Sequence, residues 1–297
     1  MLRRKNAIIV RKVASNQEAR LTRLAGLVFR IIPNLTLVCC LFVSLNMAAQ
    51  PYKPEIMALN NGETTSYTVY FKWGILMPRA GEAVLSFKAT SGGAADYSLR
   101  FATSKFFDAI YKMRDTLTCR YSADYELIYA LKLADEGDYF LTDELEFSYF
   151  GNRTNIHSHR YTPKVTKIDT MLTSTSGYVF DMLGIIFYIR TLDYSKLKPD
   201  DRRTVQVAIG RDLVKVGCTY YGTDVTDCNK IKYRTRHFGI DVYDETFEQT
   251  KSATEIWIGD DANHLPVKIR SKLKFGAAEI YFKSAENLKT NLSCIIN

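Results

Sequence analysis

The sequence predicts a mainly β protein with a single strongly curved antiparallel sheet, a half-barrel or open barrel, and two short helices packed on its concave side. Most segments beyond residue 60 alternate apolar and polar side chains with a period of two, which is typical of half-buried strands. Short turn signals separate these segments and indicate a meander. Two segments break the alternation with apolar residues at helical spacing.

Five segments carry the strand prediction. They are residues 66–73, 82–87, 125–131, 144–149 and 272–282. Turn signals stand at residues 61–62 and 135–138. We expect roughly ten strands, and a twisted sheet of that size tends to curl or close.

The two helix predictions differ in burial. Residues 104–113 have one apolar face and Ser104 in the N-cap position, which predicts a short amphipathic helix. Residues 178–190 are apolar nearly all round, so this helix must be buried against the sheet or inside its curl. It is too short to cross a bilayer.

Residues 1–49 have the layout of a secretory signal peptide. A basic stretch ending at Arg30 precedes a largely apolar run, residues 35–45, and small residues follow it up to Ala49. Eleven helical residues rise about 16 Å, well short of the roughly 30 Å hydrocarbon core. We expect cleavage after Ala49 and a mature chain, residues 50–297, that forms a single domain. An uncleaved anchor extending back to residue 24 is the alternative, although Arg30 and Pro33 interrupt it.

The excess of positive charge lies in this leader. The chain has 40 Lys and Arg against 32 Asp and Glu, and after residue 49 the two types nearly balance. A nucleic-acid-binding domain needs its cations on the folded surface, so no nucleic-acid partner is expected. With 46% hydrophobic residues the chain is also unlike a disordered one.

Four cysteines follow the leader: Cys119, Cys218, Cys228 and Cys294. Export permits disulfides, and Cys218 and Cys228 flank a predicted turn, so a bridge across a hairpin is one interpretation. Isolated buried thiols are the other. The sequence has no C-x-x-C motif that would indicate redox or zinc chemistry.

Four blocks in order and spacing resemble a known family, the domain of unknown function 3108. They are residues 67–83, 107–115, 180–190 and 256–267, and the resemblance covers about 60–285. It implies an exported bacterial envelope protein with a β-rich fold, commonly from Bacteroides-like organisms. The last block is more weakly similar to the half-barrel carriers of periplasmic lipoproteins, the LolA/LolB type.

Candidate catalytic groups have weak support. Asp260, Asp261 and His264 could supply acid/base or metal chemistry, but adjacent strand residues point to opposite faces and the segment suits a hairpin turn. His157 and His159 share one side of a strand without an evident third ligand. Nucleophile-elbow and phosphate-loop motifs are absent from the sequence, and we expect no cofactor and no metal.

Four residues are candidates for ligand binding. Arg190 could anchor an anionic head group inside the groove, although a cation at a helix end also suits the helix dipole. Tyr70, Trp73 and Trp257 could line the same groove, although aromatic residues on strands more often belong to the core.

These observations favour an exported, non-catalytic cell-envelope protein that binds a lipid, lipoprotein or glycan-type ligand in its curved sheet, or docks an unidentified envelope partner. A hydrolase acting on envelope glycan or lipid, and a purely structural or interaction protein, are the alternatives. Ligand binding requires a concave pocket of a few hundred Å³. An interior packed solid by Phe180, Leu183, Ile186 and Phe187 would instead favour a scaffold.

Overall fold

The computed structural model describes residues 49–90, 92–243, 250–273 and 276–296, with only the backbone for 250–252. The predicted signal peptide therefore lies outside the described residues except for Ala49. The strands are β1 (Glu63–Lys72), β2 (Arg79–Ala89), β3 (Ala95–Thr103), β4 (Arg114–Tyr121), β5 (Leu127–Glu136), β6 (Tyr139–Phe150), β7 (Arg153–Thr162), β8 (Val165–Ser174), β9 (Val179–Phe180), β10 (Arg202–Ile209), β11 (Asp212–Cys228), β12 (Ile231–Tyr243), β13 (Thr250–Gly259), β14 (Pro266–Lys272), β15 (Ala277–Glu286) and β16 (Ile295–Ile296).

These strands form one 16-stranded sheet built from two meanders. The order is β8-β7-β6-β5-β4-β3-β2-β1-β15-β14-β13-β12-β11-β10-β9, with β16 paired to β12. Each pair is antiparallel except β9 with β10. The predicted antiparallel meander is confirmed, and β1 joins its two halves by pairing with β15.

The sheet curls further than a half-barrel and is nearly closed. The turn after β10 approaches the inner side of β7, where the Ser158 hydroxyl donates to the Gly210 carbonyl at 2.7 Å. Next to it, Arg211 Nη2 donates to the Lys167 carbonyl at 3.1 Å. The half-barrel prediction was too open because it counted about ten strands, and a twisted sheet of sixteen bends through a larger angle.

The buried helix predicted from residues 178–190 lies inside this barrel, but it is shorter. Helix α2 spans Gly184–Arg190, and residues 179–180 instead form β9. Phe187 is fully buried and stacks on Tyr121 with ring centroids 4.1 Å apart. On another side of the helix, Tyr52 packs edge-on against Tyr188 at 4.9 Å.

The first predicted helix does not pack on the concave side. Helix α1 covers only Lys105–Asp108 and has no buried residue. Ser104 caps it as predicted, with its Oγ accepting from the Phe107 N–H. The apolar residues Phe106 and Ile110 are exposed, because the segment lies in the connection between β3 and β4 at one end of the barrel.

Two further predictions need correction. Cys218 and Cys228 lie ten residues apart on the single strand β11, about 33 Å at the strand rise, whereas a disulfide needs Cα atoms within about 7 Å. Both are free, buried thiols, so the cross-hairpin bridge is wrong and the alternative interpretation holds. Residues 272–282 are not one strand, since β14 ends at Lys272 and β15 begins at Ala277.

Candidate ligand-binding cavity

The helix does not fill the whole barrel, and a cavity of about 250 Å³ remains between β4–β7 and the segment that leads into α2. It opens beside Met182 and Ile209, whose side chains are exposed. The lining residues are Leu117, Ala130, Leu131, Lys132, Leu141, Asp143, Leu145, Arg160, Asp181, Met182, Ala208 and Ile209. The wall is thus mainly aliphatic, with a few charged groups.

Three of the charged lining residues, Lys132, Asp143 and Arg160, lie in one row across neighbouring strands on the inner face of the sheet. Lys132 pairs with Leu117 on β4 and with Asp143 on β6, and Asp143 pairs with Arg160 on β7. Because directly opposite residues of neighbouring strands share a face, all four side chains point into the barrel.

Within this row, Asp143 and Arg160 form an ion pair. Arg160 Nε donates to Asp143 Oδ2 at 3.0 Å, and a second guanidinium nitrogen contacts the same oxygen. The other carboxylate oxygen, Oδ1, is buried without a hydrogen-bond partner in the described structure. Lys132 differs, because no carboxylate of the described residues lies within 4.0 Å of its ammonium group.

Asp181 lines the cavity at the start of α2. Its carboxylate accepts from the Cys119 thiol at 2.9 Å and from the backbone N–H groups of Gly184 at 2.8 Å and Leu183 at 3.1 Å. Burial raises the pKa of Asp181. Burial also raises the pKa of the Cys119 thiol well above its ordinary value, so the thiol stays protonated and donates.

The predicted ligand anchor Arg190 lies elsewhere. Its guanidinium is 0% exposed and pairs with Glu63, with Nη1 and Oε1 2.7 Å apart. Nε and Nη2 donate to the backbone carbonyls of His264 at 3.0 Å and Asn263 at 2.9 Å. Arg190 ends α2 as expected, but its charge is already neutralised inside the core, away from the cavity lining.

Trp257 is on the outer face of β13, between the buried Ile256 and Ile258. Its indole stacks on the ring of His237 at 4.5 Å, and the Lys268 ammonium lies 5.0 Å from the ring centroid. These neighbours come from the strands on either side, so both faces of the indole are covered.

Tyr70 and Trp73 also lie outside the barrel interior. Tyr70 contacts Tyr281 edge-on at 5.8 Å on the outer face. Trp73 is 65% exposed in the connection between β1 and β2. None of the four predicted ligand-binding residues lines the cavity, and the structure does not bring them together.

The candidate hydrolytic groups do not converge on one cleft. Asp260 pairs with Arg236 at 2.8 Å, while Asp261 Oδ1 accepts from the Asn263 N–H at 3.0 Å, as in an Asx turn. His264 is buried, with Nδ1 2.8 Å from the Arg190 carbonyl. The prediction that this segment is a turn between strands is confirmed.

His157 and His159 lie beside carboxylates of the neighbouring strands along the outer face of β7. Their rings are parallel with centroids 6.2 Å apart, and His157 Nε2 lies 2.7 Å from Asp169 Oδ1. The hydrogen bond to Asp169 raises the pKa of His157. Within the described part of the chain, no cluster of three or more acidic, histidine or cysteine side chains has the arrangement of a metal site.

The cavity residues carry a weak sequence signal. Lys132 interrupts an inward-facing row between Ala130 and Ala134, and Asp181 interrupts the apolar run of residues 178–190. A charged residue at an inward position of an apolar strand is the pattern that could have identified them. The closing of the sheet over these positions has no local signal.

The comparisons with known proteins agree with this architecture. The family model described as a protein of unknown function, DUF3108, matches residues 66–283, which confirms the resemblance inferred from the sequence. No curated protein matches the chain. Among the described residues, no helix has the length and apolar character that crossing a membrane requires.

A solved structure shows a similar fold. It is the crystal structure of a beta-barrel-like protein of domain of unknown function DUF1849 from Brucella abortus. The match has a TM-score of 0.54 and 11% sequence identity, and it covers 80% of this chain and 100% of that one. At this identity the likeness concerns the fold alone.

Proposed function

The chain belongs to the DUF3108 family of proteins of unknown function, so we propose its role from the structure of the cavity. We propose that the protein is an exported, non-catalytic module that binds one lipid chain with an anionic head group. The observation that carries this proposal is an aliphatic cavity with an ammonium group, Lys132, on its wall and no carboxylate of the described residues within ion-pair distance. An acyl chain suits the wall, and a carboxylate or phosphate suits Lys132.

The lining favours a lipid over a glycan. Sugar ligands need many polar partners, whereas eight of the twelve residues that line this cavity are leucine, isoleucine, methionine or alanine, and none is aromatic. A glycan would leave most of its hydroxyl groups without hydrogen bonds, which carries a free-energy penalty for each buried group.

The volume limits the ligand to a single chain. A cavity of about 250 Å³ is slightly smaller than the roughly 300–1,000 Å³ of typical small-molecule pockets. Phe180, Leu183 and Phe187 occupy the neighbouring interior and are fully buried. The interior is therefore partly filled, and a whole diacyl lipid would have to leave one chain outside.

The test is equilibrium binding of a long-chain fatty acid to the delipidated protein, compared with the fatty alcohol of equal length. We expect Lys132→Met to weaken fatty-acid binding by at least about tenfold, since a charge-assisted contact contributes roughly 1.5–3 kcal/mol, and to leave fatty-alcohol binding nearly unchanged. Lys132→Arg is the matched control that keeps the positive charge.

A second variant tests the cavity itself. Ala130→Phe places an aromatic ring in the cavity and should abolish binding of both ligands, whereas Ala262→Phe, at an exposed turn, should not. The proposal would be contradicted if folded Ala130→Phe bound both ligands as the wild type does, or if the wild-type protein bound neither ligand.

A further inference from the structure

The end of the barrel where the cavity opens carries most of the exposed large apolar side chains. In an antiparallel meander the connections alternate between the two ends, so the β1–β2, β3–β4 and β5–β6 connections lie at the same end. We name their exposed apolar residues the apolar rim. They are Trp73, Ile75, Leu76, Met77, Phe106, Ile110, Tyr111, Tyr139 and Phe140.

The cavity mouth belongs to the same end. Met182 follows β9 and Ile209 ends β10, and both strands run toward the end at which β1, β3 and β5 finish. Both side chains are exposed and line the cavity. The apolar surface therefore continues from the rim into the proposed lipid site.

The three connections of the rim are joined by hydrogen bonds. The Ser104 N–H donates to the Ala80 carbonyl at 2.8 Å, which ties the β3–β4 connection to the start of β2. On its other side, the Gly137 N–H donates to the Lys112 carbonyl at 2.8 Å, and the Tyr111 hydroxyl donates to Glu136 at 3.3 Å. The rim is thus a connected surface, although its apolar side chains point to solvent.

The β1–β2 hairpin is the most prominent part of the rim. Trp73 and Leu76 exchange two backbone hydrogen bonds of 2.9 and 3.0 Å, so Gly74 and Ile75 form its tip. Gly74 has a φ of +59°, which a two-residue hairpin turn requires at its first central position. Ile75 is 100% exposed. From the tip inward, the aliphatic side chain of Ile75 comes first and the indole of Trp73 second. The charged residues Lys72 and Arg79 follow at the ends of the two strands.

We propose that the apolar rim docks the protein on a lipid bilayer, with the cavity mouth facing the membrane from which the ligand enters or leaves. This proposal rests on the proposed lipid-binding function. Aliphatic tips backed by tryptophan and tyrosine, with charged groups behind them, match the apolar-to-polar order of a bilayer surface. A lipid leaving the membrane would then reach the cavity without passing through water.

The charges beside the rim indicate that docking depends on apolar contacts. Arg114 pairs with Asp108 at 2.6 Å, Lys112 with Asp135 at 3.6 Å, and Arg79 with Glu82 at 2.5 Å. Since these three cations are already neutralised and the exposed Lys105 is the one cation of helix α1, attraction to anionic lipids contributes little. The docking surface therefore suits neutral phosphatidylcholine, and its binding should change little with salt.

The opposite end has no comparable surface in the described residues. Its exposed large apolar residues are Ile128, Phe150, Val225 and Ile231, scattered over several strands and turns. Phe150 has the same exposure as Phe106 of the rim, 67%. These two residues therefore form a matched pair for substitution.

The experiment uses the two tryptophans of the chain as reporters on neutral phosphatidylcholine vesicles. In Trp257→Phe the remaining Trp73 should shift its emission to shorter wavelength when vesicles are added. In Trp73→Phe the remaining Trp257, covered by His237 and Lys268, should not respond. The shift should persist at high salt.

Co-sedimentation with the same vesicles supplies the second measurement. Ile75→Asp combined with Phe106→Asp should lower the bound fraction at least tenfold, since each removes a large apolar contact, whereas Phe150→Asp should bind like the wild type. Equal binding by the rim variant, or no emission shift from Trp73, would overturn the proposal. A concentration-dependent dimer that the rim variant abolishes, without vesicle binding, would assign the rim to a second copy instead.

The two proposals fail separately. Ala130→Phe should lose fatty-acid binding and still dock on vesicles. The rim variant should still bind fatty acid in solution and lose only vesicle binding.

Discussion

Arg190 is the largest fully buried side chain among the described residues, and its surroundings show how an apolar barrel holds a full charge. Its partner Glu63 is also buried, and two backbone carbonyls of the β13–β14 turn take the remaining guanidinium donors. Removing one member of such a buried pair typically costs about 3–5 kcal/mol, because the other charge is left without a partner. The pair fixes the end of α2 relative to β1 and to the β13–β14 turn.

His264 in the same cluster should make stability depend on pH. Burial lowers its pKa from 6.5 to about 4, although its Nδ1–H donates to the Arg190 carbonyl. Between these pH values the unfolded chain takes up a proton that the folded protein does not, so stability falls as the pH drops through this window. The loss approaches roughly 3 kcal/mol near pH 4.

The measurement is urea unfolding of the wild type and His264→Asn at pH 7 and pH 4.5. Asparagine tolerates the φ of +45° at this position. Other groups also titrate in this range, so the informative quantity is the difference between the two proteins. We expect the variant to lose less stability on acidification, and equal losses would contradict the assignment.

At the scale of single residues, the sequence could predict a residue's position in an element but not its contact partner. Arg190 was correctly placed at a helix end, yet its partner Glu63 lies on a distant strand, so the anchor role could not be judged locally. Asp260 and Asp261 were correctly interpreted as turn residues, because Asx side chains act within a few residues of their own backbone.

Helix α2 begins where it does because of Asp181 and Gly184. The Asp181 carboxylate accepts the N–H groups of Leu183 and Gly184, which ends the preceding strand and starts the helix. A Cβ on Gly184 would lie 2.9 Å from Asp181 Oδ1 and 3.2 Å from Phe180 Cβ. Glycine is therefore required here by close packing.

Gly184→Ala should consequently destabilise the protein despite the better helix propensity of alanine. We expect a net loss of about 1–2 kcal/mol, since overpacking costs about 1–3 kcal/mol and alanine recovers up to about 1. Urea unfolding measures the effect. In an Asp181→Ser background the same substitution should cost less, because the nearest atom is gone, and a stabilised single variant would contradict this packing argument.

At the scale of elements, the period-two strands were predictable and the helix lengths were not. Alternation identified β1, β2, β5 and β6 because each buries one face. The segment 104–113 has helical spacing too, but only four residues form α1, since no neighbouring surface covers its apolar side. Helical spacing alone does not show whether a surface is available to bury it.

The whole molecule combines a nearly closed barrel, an internal helix and one open end. The cavity depends on residues of β4–β7 and of β9–β10, which meet only because the sheet curls round. The sequence predicted curvature and an internal helix, but the number of strands and the degree of closure are properties of the complete sheet. The site could therefore not be located from any single segment.

The proposed export has a direct test at the scale of the whole chain. If residues 1–49 are a signal peptide, the protein isolated from its own cells should have the mass of residues 50–297, with Gln50 at its N-terminus. Intact mass and N-terminal sequencing measure this. A full-length mass in the membrane fraction would support the uncleaved anchor, and a full-length soluble form in the cytoplasm would contradict export.

The pairing of β1 with β15 sets the order of folding events. Thr64 lies opposite Glu286, so the central strand of the sheet acquires its second neighbour only after more than two hundred further residues have been synthesised. Until then β1 presents an open edge that can pair with another chain, and non-local pairing of this kind is slow. A chaperone that shields β1 until β15 has been synthesised should therefore reduce pairing of the nascent chain with other chains.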